Sequence, residues 1–386
     1  MGVYSEYLDK QLSFQDLTKE RKGQLKKISE LRGNRDVLVY AADLNKRVDA
    51  VSINYADLIP VSDQLSNLSG DKIDFIIETP GGAGEVAEDI VRLLHDKYKE
   101  VGIIIPGWAK SAGTIIAMSG DEILMGELSA LGPIDAQLNW QGKHFSAHAL
   151  LEGFKKIKKE IEETGVLNKA YIPILQGISP GEIENADNAL KFAAELVKKW
   201  LVQYKFKNWN IHSSNQQPVT QQEKENRADE IAKKLCDHSF WKTHGRSIKI
   251  KDFREMKVKI TDYRENKELN EAITRYYTLL QMTFATNIYK IFETKDSQIY
   301  RSLIPSMPRQ NEINPTNVNN VIIDFECSNC KHHSKIQANL NQKQPIQTGG
   351  TEFPKDNKFK CPNCQTENDL SELRRAIEAQ TKKTIV

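Results

Sequence analysis

The sequence predicts an α/β protein with a parallel sheet, followed by a small module rich in cysteine. The first indication is that short apolar stretches alternate with amphipathic ones between residues 36 and 150. Short apolar strands separated by amphipathic helices are typical of βαβ units. The second is a pair of Cys-x-x-Cys motifs near the C-terminus. Together they indicate an α/β core and a separate cysteine module.

The elements of the core can be assigned in order along the chain. The predicted strands are "DVLVYAA", "KIDFIIETP", "VGIIIPG" and "EILMG". The predicted helices between them are "NYADLIPVSDQLSNL", "GEVAEDIVRLLHDKYK" and the short buried "SAGTIIAMSG". Helical spacing of apolar residues continues over 147–206 and 221–238, and a further long helix is expected over 267–293.

These assignments predict five segments. Residues 304–320 are rich in proline and asparagine, which favours a linker. The expected segments are a helical arm that packs on a partner (1–33), an α/β core (34–150), a helical extension (151–303), the linker (304–320) and the cysteine module with a helical tail (321–386).

Composition excludes several classes of protein. The 386 residues include 54 basic and 52 acidic side chains, a net charge of +2, so no strong global field attracts nucleic acid or membranes. No apolar run is long enough to span a bilayer, and the N-terminus lacks the apolar stretch of a signal peptide. The chain contains no G-x-x-x-x-G-K-[ST] motif, so an unfolding motor would be a separate protein. We expect a cytoplasmic protein that works without ATP.

The stretch "GWAKSAGTIIAM" at 107–118 places one serine between a buried strand and a helix of small residues. The first N–H groups of a helix are unpaired and carry partial positive charge. Ser111 could therefore attack a carbonyl while the N–H of Ala112 points at the developing oxyanion. On its own, the stretch is more typical of a tight turn in which the serine caps a helix than of a catalytic turn.

A second donor for such an oxyanion is available one βα unit earlier, in "ETPGG" at 78–82. A strand that ends in Pro80, Gly81 and Gly82 can turn its backbone outward without interference from Cβ atoms. Both stretches follow predicted parallel strands, at the sheet edge where open α/β folds place their sites. Two such turns together favour a catalytic site.

The stretches "DFIIETPGG" and "GWAKSAGTIIAMSGDEILMGELSALGPIDAQ" resemble the ClpP/SppA class of serine peptidases, which have a crotonase-like fold. "GPIDAQ" and the later "KTHGRSI" make the chain most similar to the serine dehydrogenase proteinase family. The resemblance is strong over about 70–140, looser to about 265 and absent from the cysteine module. It implies that Ser111 is the nucleophile and that Gly81 and Ala112 form the oxyanion hole.

The general base is left open by the sequence. The resemblance implies either a histidine with an aspartate or a lysine after the next strand. The stretch after "EILMG" offers His148 and Lys143 as bases and Asp135 as the orienting carboxylate. His148 opens an amphipathic helix, where it is equally compatible with a structural role. Lys110 is expected to point away from Ser111, since neighbouring residues do not share a helix face.

The turn "KTHGRSI" also resembles the family. Its His244 and Arg246 either bind substrate or dock the helical region.

The cysteine module predicts a structural zinc site. Two Cys-x-x-Cys pairs supply four thiolates, the ligand set of a zinc ribbon. The ligands would be Cys327, Cys330, Cys361 and Cys364. So short a segment is expected to have little core of its own and to take folding energy from the metal. Nearby lysines would suit phosphate, but a solvated docking surface is the simpler interpretation.

The combined interpretation is a serine endopeptidase that forms a homo-oligomer and cleaves peptides or unfolded proteins. One alternative is a crotonase-like acyl-CoA enzyme, because that fold uses the same oxyanion pair without a serine nucleophile. Another is a non-catalytic scaffold whose zinc module binds nucleic acid or protein.

Overall fold

The computed structural model describes residues 2–140, 143–212, 216–303, 319–381 and 383–386. The chain forms two compact units, residues 1–304 and 305–386. Within the described residues, no helix combines the length and apolarity needed to cross a membrane.

The first unit is built on a seven-stranded sheet with the order β11-β10-β1-β2-β3-β5-β9. Its strands are β1 Asp36–Ala42, β2 Lys72–Glu78, β3 Glu100–Ile105, β5 Glu122–Met125, β9 Thr261–Asp262, β10 Ile288–Glu293 and β11 Gln298–Ser302. Strands β1, β2, β3, β5 and β9 run parallel to one another, and the predicted α/β class is confirmed. Short pairs lie outside this sheet: β4 Trp108–Ala109 with β6 Ala130–Leu131, and β7 Gln137–Trp140 with β8 Lys143–Ser146.

Helices cover both faces of the sheet, because successive residues of its strands point to opposite sides. In β1, Leu38 and Tyr40 pack into one apolar cluster, and Val37 and Val39 into the other. The helices of this unit are α1 Val3–Asp9, α2 Phe14–Leu31, α3 Leu58–Ser66, α4 Gly84–Lys97, α5 Ala112–Met118, α6 Ala147–Thr164, α7 Ile172–Gln176, α8 Pro180–Trp200, α9 Gln221–Cys236, α10 His238–Trp241, α11 Ile250–Glu255 and α12 Lys267–Phe284. The first cluster includes residues from α3, α4, α5, α8 and α9, and the second includes residues from α2 and α12.

The prediction of a helix over 267–293 is wrong for residues 285–293. Helix α12 ends at Phe284, and β10 adds an antiparallel strand beside β1. The reason is tertiary: Lys290 is buried and bonds both carboxylate oxygens of Asp57, while Ile291 and Phe292 fill the two faces of the sheet. The segment 151–303 is therefore not purely helical, since it supplies three strands of the main sheet.

The N-terminal segment packs within the fold, which corrects the expectation that it packs on a partner. Helix α2 lies against α12 on one face of the sheet. Arg21 on α2 is fully buried and pairs with Glu293 on β10, with Nε and Oε1 2.9 Å apart. Tyr276 and Tyr300 also bond this pair, which therefore links α2, α12, β10 and β11.

The second unit consists of small sheets, a helix and a compact apolar cluster. Its elements are β12 Asn320–Glu326, β13 His333–Asn339, β14 Gly350–Glu352, β15 Lys358–Lys360, β16 Glu367–Asp369 and α13 Ser371–Thr381. Ile336, Phe353 and Phe359 are among its buried apolar residues. The expectation that this segment has little core of its own is thus wrong: distant strands bring together apolar residues that are scattered in the sequence.

We expect Arg21→Met to destabilise the first unit by about 3–5 kcal/mol, because it leaves the Glu293 carboxylate buried without its cation. Urea unfolding followed by tryptophan fluorescence measures the change. Lys99→Met is the matched control, since Lys99 pairs with Asp71 at the surface, where the two side chains are 78% and 72% exposed. Equal losses of stability in the two variants would contradict the importance of the buried pair.

Candidate active site

Ser111 occupies a strained turn between β4 and α5. Its backbone angles are φ 51° and ψ −117°, a conformation that residues with side chains rarely adopt. Such a strand-to-helix turn presents the serine of a nucleophile elbow away from the backbone. The side chain is half-buried, and within the described part of the chain its hydroxyl makes no hydrogen bond. Strain of this kind is often found at functional sites.

Gly81 lies directly against this turn. Its φ is +107°, and a Cβ built on it would lie 2.6 Å from the Cβ of Ser111 and 2.8 Å from the carbonyl oxygen of Lys110. The same atom would lie 3.3 Å from the nitrogen of Ala112. Only glycine allows so close an approach, because it has no Cβ. The backbone of Gly81 therefore packs against both the Ser111 side chain and the start of α5.

Two backbone N–H groups beside this contact have no protein partner among the described residues. Among the described residues, the N–H groups of Ala112 and Gly82 donate no hydrogen bond to protein. The N–H of Gly81 donates to Thr79 Oγ1 at 3.1 Å. Ala112 is buried, and an unpaired buried donor costs free energy unless a ligand or water satisfies it. An oxygen that accepts a hydrogen bond from the Ala112 N–H would therefore stabilise the turn.

The side chain of Glu78 links the end of β2 to β4, which precedes the Ser111 turn. Its Oε2 accepts a hydrogen bond from the N–H of Trp108 at 2.8 Å, and its Oε1 accepts one from the hydroxyl of Tyr277 at 3.0 Å. Burial raises the pKa of this carboxyl to about 8, although both hydrogen bonds oppose the rise. Glu78 thus links the end of β2 to the start of the Ser111 turn mainly as a neutral acid at pH 7.

Asp135 is fully buried and binds two imidazoles. Its Oδ1 lies 2.7 Å from Nδ1 of His244, and its Oδ2 lies 2.7 Å from Nδ1 of His238. Burial raises the pKa of the carboxyl, but the hydrogen bonds of His244 and His238 outweigh it, and the net pKa is lowered. Asp135 is therefore ionised at neutral pH. Each imidazole bonded to it through Nδ1 leaves Nε2 available as a base.

His148, a base predicted from the sequence, is not paired with this carboxylate among the described residues. The His148 ring is tilted against His238 with 6.2 Å between ring centroids, and within the described residues it makes no hydrogen bond to Asp135. The backbone of Lys143 belongs to β8, but its side chain lies outside the described part of the chain. The structure thus brings Asp135 together with His244 and His238.

Strand pairing brings the segments of this site side by side. Strand β4, which precedes Ser111, pairs with β6, which precedes Asp135. Leu131 in β6 also forms an antiparallel bridge with Ile248, just after the turn that carries His244. Lys110 points away from Ser111, as predicted, and bonds this turn.

His238 was not predicted from the sequence as a partner of Asp135, and His244 was predicted only to bind substrate or to dock the helical region. The motif "KTHGRSI" marked His244 as unusual, but nothing in the sequence marks His238. Arg246 follows in the same turn as an exposed side chain, with no ion pair among the described residues.

The four cysteines of the second unit form a cluster suited to a metal ion. Their sulfur atoms all lie within 4.8 Å of one another. The Sγ–Sγ distance is 3.6 Å both for Cys327 with Cys364 and for Cys330 with Cys361. A tetrahedral site with metal–sulfur bonds of about 2.3 Å has edges of about 3.8 Å, so the donor set fits. The fifth cysteine, Cys236, lies in the first unit, where burial raises the pKa of its thiol to about 12.

A scan against protein families matches residues 7–172 to the ClpP-like SDH-type serine proteinases. This region is ClpP-like. The resemblance stated from the sequence is thereby confirmed for the part of the chain that carries Ser111 and Asp135. The ClpP-like region (7–172) is less than half of the chain, and both His238 and His244 lie beyond it.

Two curated relatives are uncharacterized proteins of Methanocaldococcus jannaschii. One is 37% identical over 95 residues, which are 25% of this chain and 32% of the relative. The other is 27% identical over 184 residues, which are 48% of this chain and 51% of the relative. The matches thus span between a third and about half of these relatives.

Solved structures of proteases show a weaker likeness. A variant of a membrane-bound stomatin-specific protease is 24% identical with a TM-score of 0.23, covering 30% of this chain and 60% of its own. A variant of ClpP1 from Listeria monocytogenes is 12% identical with a TM-score of 0.29, covering 63% and 99%. With scores this low, the fold assignment rests on the family match and the sheet topology.

We expect Gly81→Ala to damage the site, because the new Cβ would collide with the Ser111 turn and L-residues rarely adopt a φ of +107°. Labelling of Ser111 by a fluorophosphonate, which reacts with activated serines, should fall at least about tenfold, a barrier increase of about 1.4 kcal/mol. Gly153→Ala is the control, since Gly153 lies in helix α6, a Cβ there would have no neighbour within 4 Å, and alanine favours helices. Unchanged labelling of Gly81→Ala would contradict the importance of the contact between Gly81 and the Ser111 turn.

Proposed function

We propose that this protein is a serine endopeptidase with Ser111 as its nucleophile. One observation carries the proposal: the Gly81 backbone packs directly against the strained Ser111 turn, beside the N–H of Ala112, which has no protein partner among the described residues. A hydroxyl and an unpaired backbone donor at one turn are the minimum for acyl transfer. The family match over the ClpP-like region supports the same reaction class.

In the proposed reaction, Ser111 Oγ attacks the peptide carbonyl carbon and loses its proton to the base. The carbonyl oxygen becomes an oxyanion that accepts hydrogen bonds from the N–H of Ala112 and of the glycine pair. Gly82 has a free N–H in this structure, whereas Gly81 would first release Thr79. The protonated base then donates its proton to the leaving nitrogen as the C–N bond breaks. Water attacks the resulting ester with the same base, releasing the acid and restoring the serine.

We assign the base to His244 ahead of the sequence candidates His148 and Lys143. A base in this chemistry needs a fixed tautomer, and Asp135 supplies one to His244 through Nδ1. The turn of His244 is bonded to Lys110, the residue before the nucleophile, which supports proximity to Ser111. His238 shares the same carboxylate and is the second candidate.

The substrates and assembly extend this proposal. The ClpP-like match supports peptides or unfolded proteins as substrates, and a homo-oligomer that restricts access to the serine. The absence of a nucleotide-binding motif in the sequence supports hydrolysis without ATP by this chain. We propose that it acts in the cytoplasm.

We propose that the four-cysteine cluster binds a structural zinc ion. The distances between the sulfur atoms and the all-thiolate donor set both suit Zn²⁺. Bound zinc would cross-link the two Cys-x-x-Cys turns and so stabilise the second unit. Four thiolates fill a tetrahedral site, which supports a structural rather than a catalytic role.

The decisive test is labelling of the purified chain with a fluorophosphonate probe, read by intact mass and by peptide mapping. We expect labelling at Ser111 and none in Ser111→Ala. His244→Asn keeps an amide N–H for Asp135 but has no basic nitrogen, so its labelling rate should fall about 10²–10⁴-fold. His238→Asn and His148→Asn compare the other imidazoles, and His212→Asn, at a surface pair with Glu223, is the control.

Each other outcome counts against part of the proposal. A wild-type chain that stays unlabelled would favour the acyl-CoA enzyme, and thioester turnover would then identify it. A larger loss in His148→Asn than in His244→Asn would move the base to His148. Salt-sensitive binding of nucleic acid that disappears on deleting residues 321–386, without any hydrolysis, would favour the scaffold.

We expect the native protein to contain one zinc ion per chain, measured by inductively coupled plasma mass spectrometry. Cys361→Ser should lose the metal and expose residues 319–386 to limited proteolysis, because the site then lacks a thiolate. Cys236→Ser is the matched control and should retain the ion, since Cys236 lies outside the cluster. Metal-free protein whose four thiols react freely while the second unit resists proteolysis would contradict the zinc site.

A further inference from the structure

We propose that Lys110 is a positioning residue that fixes the His244 turn relative to Ser111 and Asp135. The inference rests on the proposed function, because it assigns a role within that site. In this role the Lys110 side chain neither reacts nor binds substrate, but sets the distance between the groups that do.

The bonds of Lys110 reach the segments that carry Ser111, Asp135 and His244. Its backbone immediately precedes Ser111. Its Nζ donates to the carbonyl oxygen of Leu131, four residues before Asp135, at 3.1 Å. The same Nζ donates to the carbonyl oxygen of Arg246 and to Oγ of Ser247, both at 3.1 Å. One side chain therefore links the nucleophile, the carboxylate and the imidazole segments.

A lysine suits this position because its ammonium has three donors, and all three are used here. The stem crosses the chain at Gly132, where a Cβ would lie 2.8 Å from Cδ of Lys110. Burial, together with nearby Lys249, lowers the pKa of Lys110 to about 8. Burying the ammonium costs desolvation free energy, which these three hydrogen bonds offset.

The three bonds also explain why Lys110 is unsuited to be the base. A lysine that removes the serine proton must be neutral and must aim its lone pair at Oγ. Here the three acceptors around Nζ favour the charged ammonium, and they direct it toward the turn at 246–247. Ser111 itself makes no hydrogen bond to this nitrogen among the described residues.

The fold retains other contacts when Lys110 is replaced. Leu131 and Ile248 exchange two backbone hydrogen bonds of 3.1 and 2.9 Å, which hold the base of the His244 turn without the lysine. What the lysine adds is the position of the turn beyond that bridge. A shift of about 1 Å in a catalytic group can cost about 10²-fold in rate, so the effect should be on chemistry more than on folding.

Lys249 provides a matched control. Its Nζ also donates to three backbone carbonyls, those of Glu127, Leu128 and Ser129, at 3.4, 3.2 and 2.9 Å. It is a neighbour of Lys110, but its acceptors belong to a single segment that carries no proposed catalytic group. Replacing either lysine by methionine removes the same number of bonds from the same region.

The experiment measures inactivation by a fluorophosphonate over a range of probe concentrations, which separates the binding constant from the maximal rate of modification. For Lys110→Met we expect a maximal rate at least about tenfold lower, equivalent to about 1.4 kcal/mol, with an unchanged binding constant. Lys110→Arg, which keeps charge and donors, should recover part of the rate. Lys249→Met should stay within about twofold of the wild-type rate, and thermal unfolding checks that every variant is folded at the assay temperature.

The outcomes separate this inference from the proposed function. A wild-type chain labelled at Ser111 whose Lys110→Met variant reacts at the same maximal rate would overturn the positioning role alone. An equal loss in Lys249→Met, or a loss confined to the binding constant, would also overturn it. A wild-type chain that is not labelled at Ser111 would overturn both.

Discussion

The candidate site depends on the contact between Gly81 and the Ser111 turn. Two chain reversals meet so closely that any side chain at position 81 would overlap the Ser111 Cβ or the Lys110 carbonyl oxygen. The Ala112 N–H lies beside this contact and has no protein partner among the described residues, because it begins the short buried helix α5. Ser111 has a positive φ where the chain leaves β4 and enters α5 within two residues, Lys110 and Ser111. The sheet and its helices hold both reversals at one edge.

The two buried carboxyl groups near this contact, Glu78 and Asp135, have different roles. Glu78 is buried mainly as a neutral acid and connects the ends of β2 and β4, so it can support the turns without placing a full charge behind the serine. Asp135 is ionised because two imidazoles bind it. Two histidines share this buried carboxylate, and the proposed general base is one of them. The bonds of Lys110 to the 246–247 turn favour His244.

Different interactions stabilise the two units. The first unit buries apolar residues on both faces of a seven-stranded sheet and adds the fully buried pair of Arg21 and Glu293. The second unit is much smaller, and small domains bury a smaller fraction of their surface on folding. It has an apolar cluster of its own, together with four cysteines at tetrahedral spacing. A metal at this cluster would add cross-links that so small a core needs.

Much of the fold follows from the sequence alone. The period of apolar residues predicted four of the five parallel strands of the core, all except the two-residue β9. The spacing of the Cys-x-x-Cys pairs predicted their cluster, because both patterns are local. The glycines and Ser111 were recognisable because tight turns restrict which residues fit them. Tertiary structure decided the rest. Strand β10 continues a helical pattern in sequence, and only pairing with β1 and the buried bond of Lys290 to Asp57 makes it a strand. His238 and His244 meet Asp135 from 103 and 109 residues away, and no local pattern encodes a contact over such a separation.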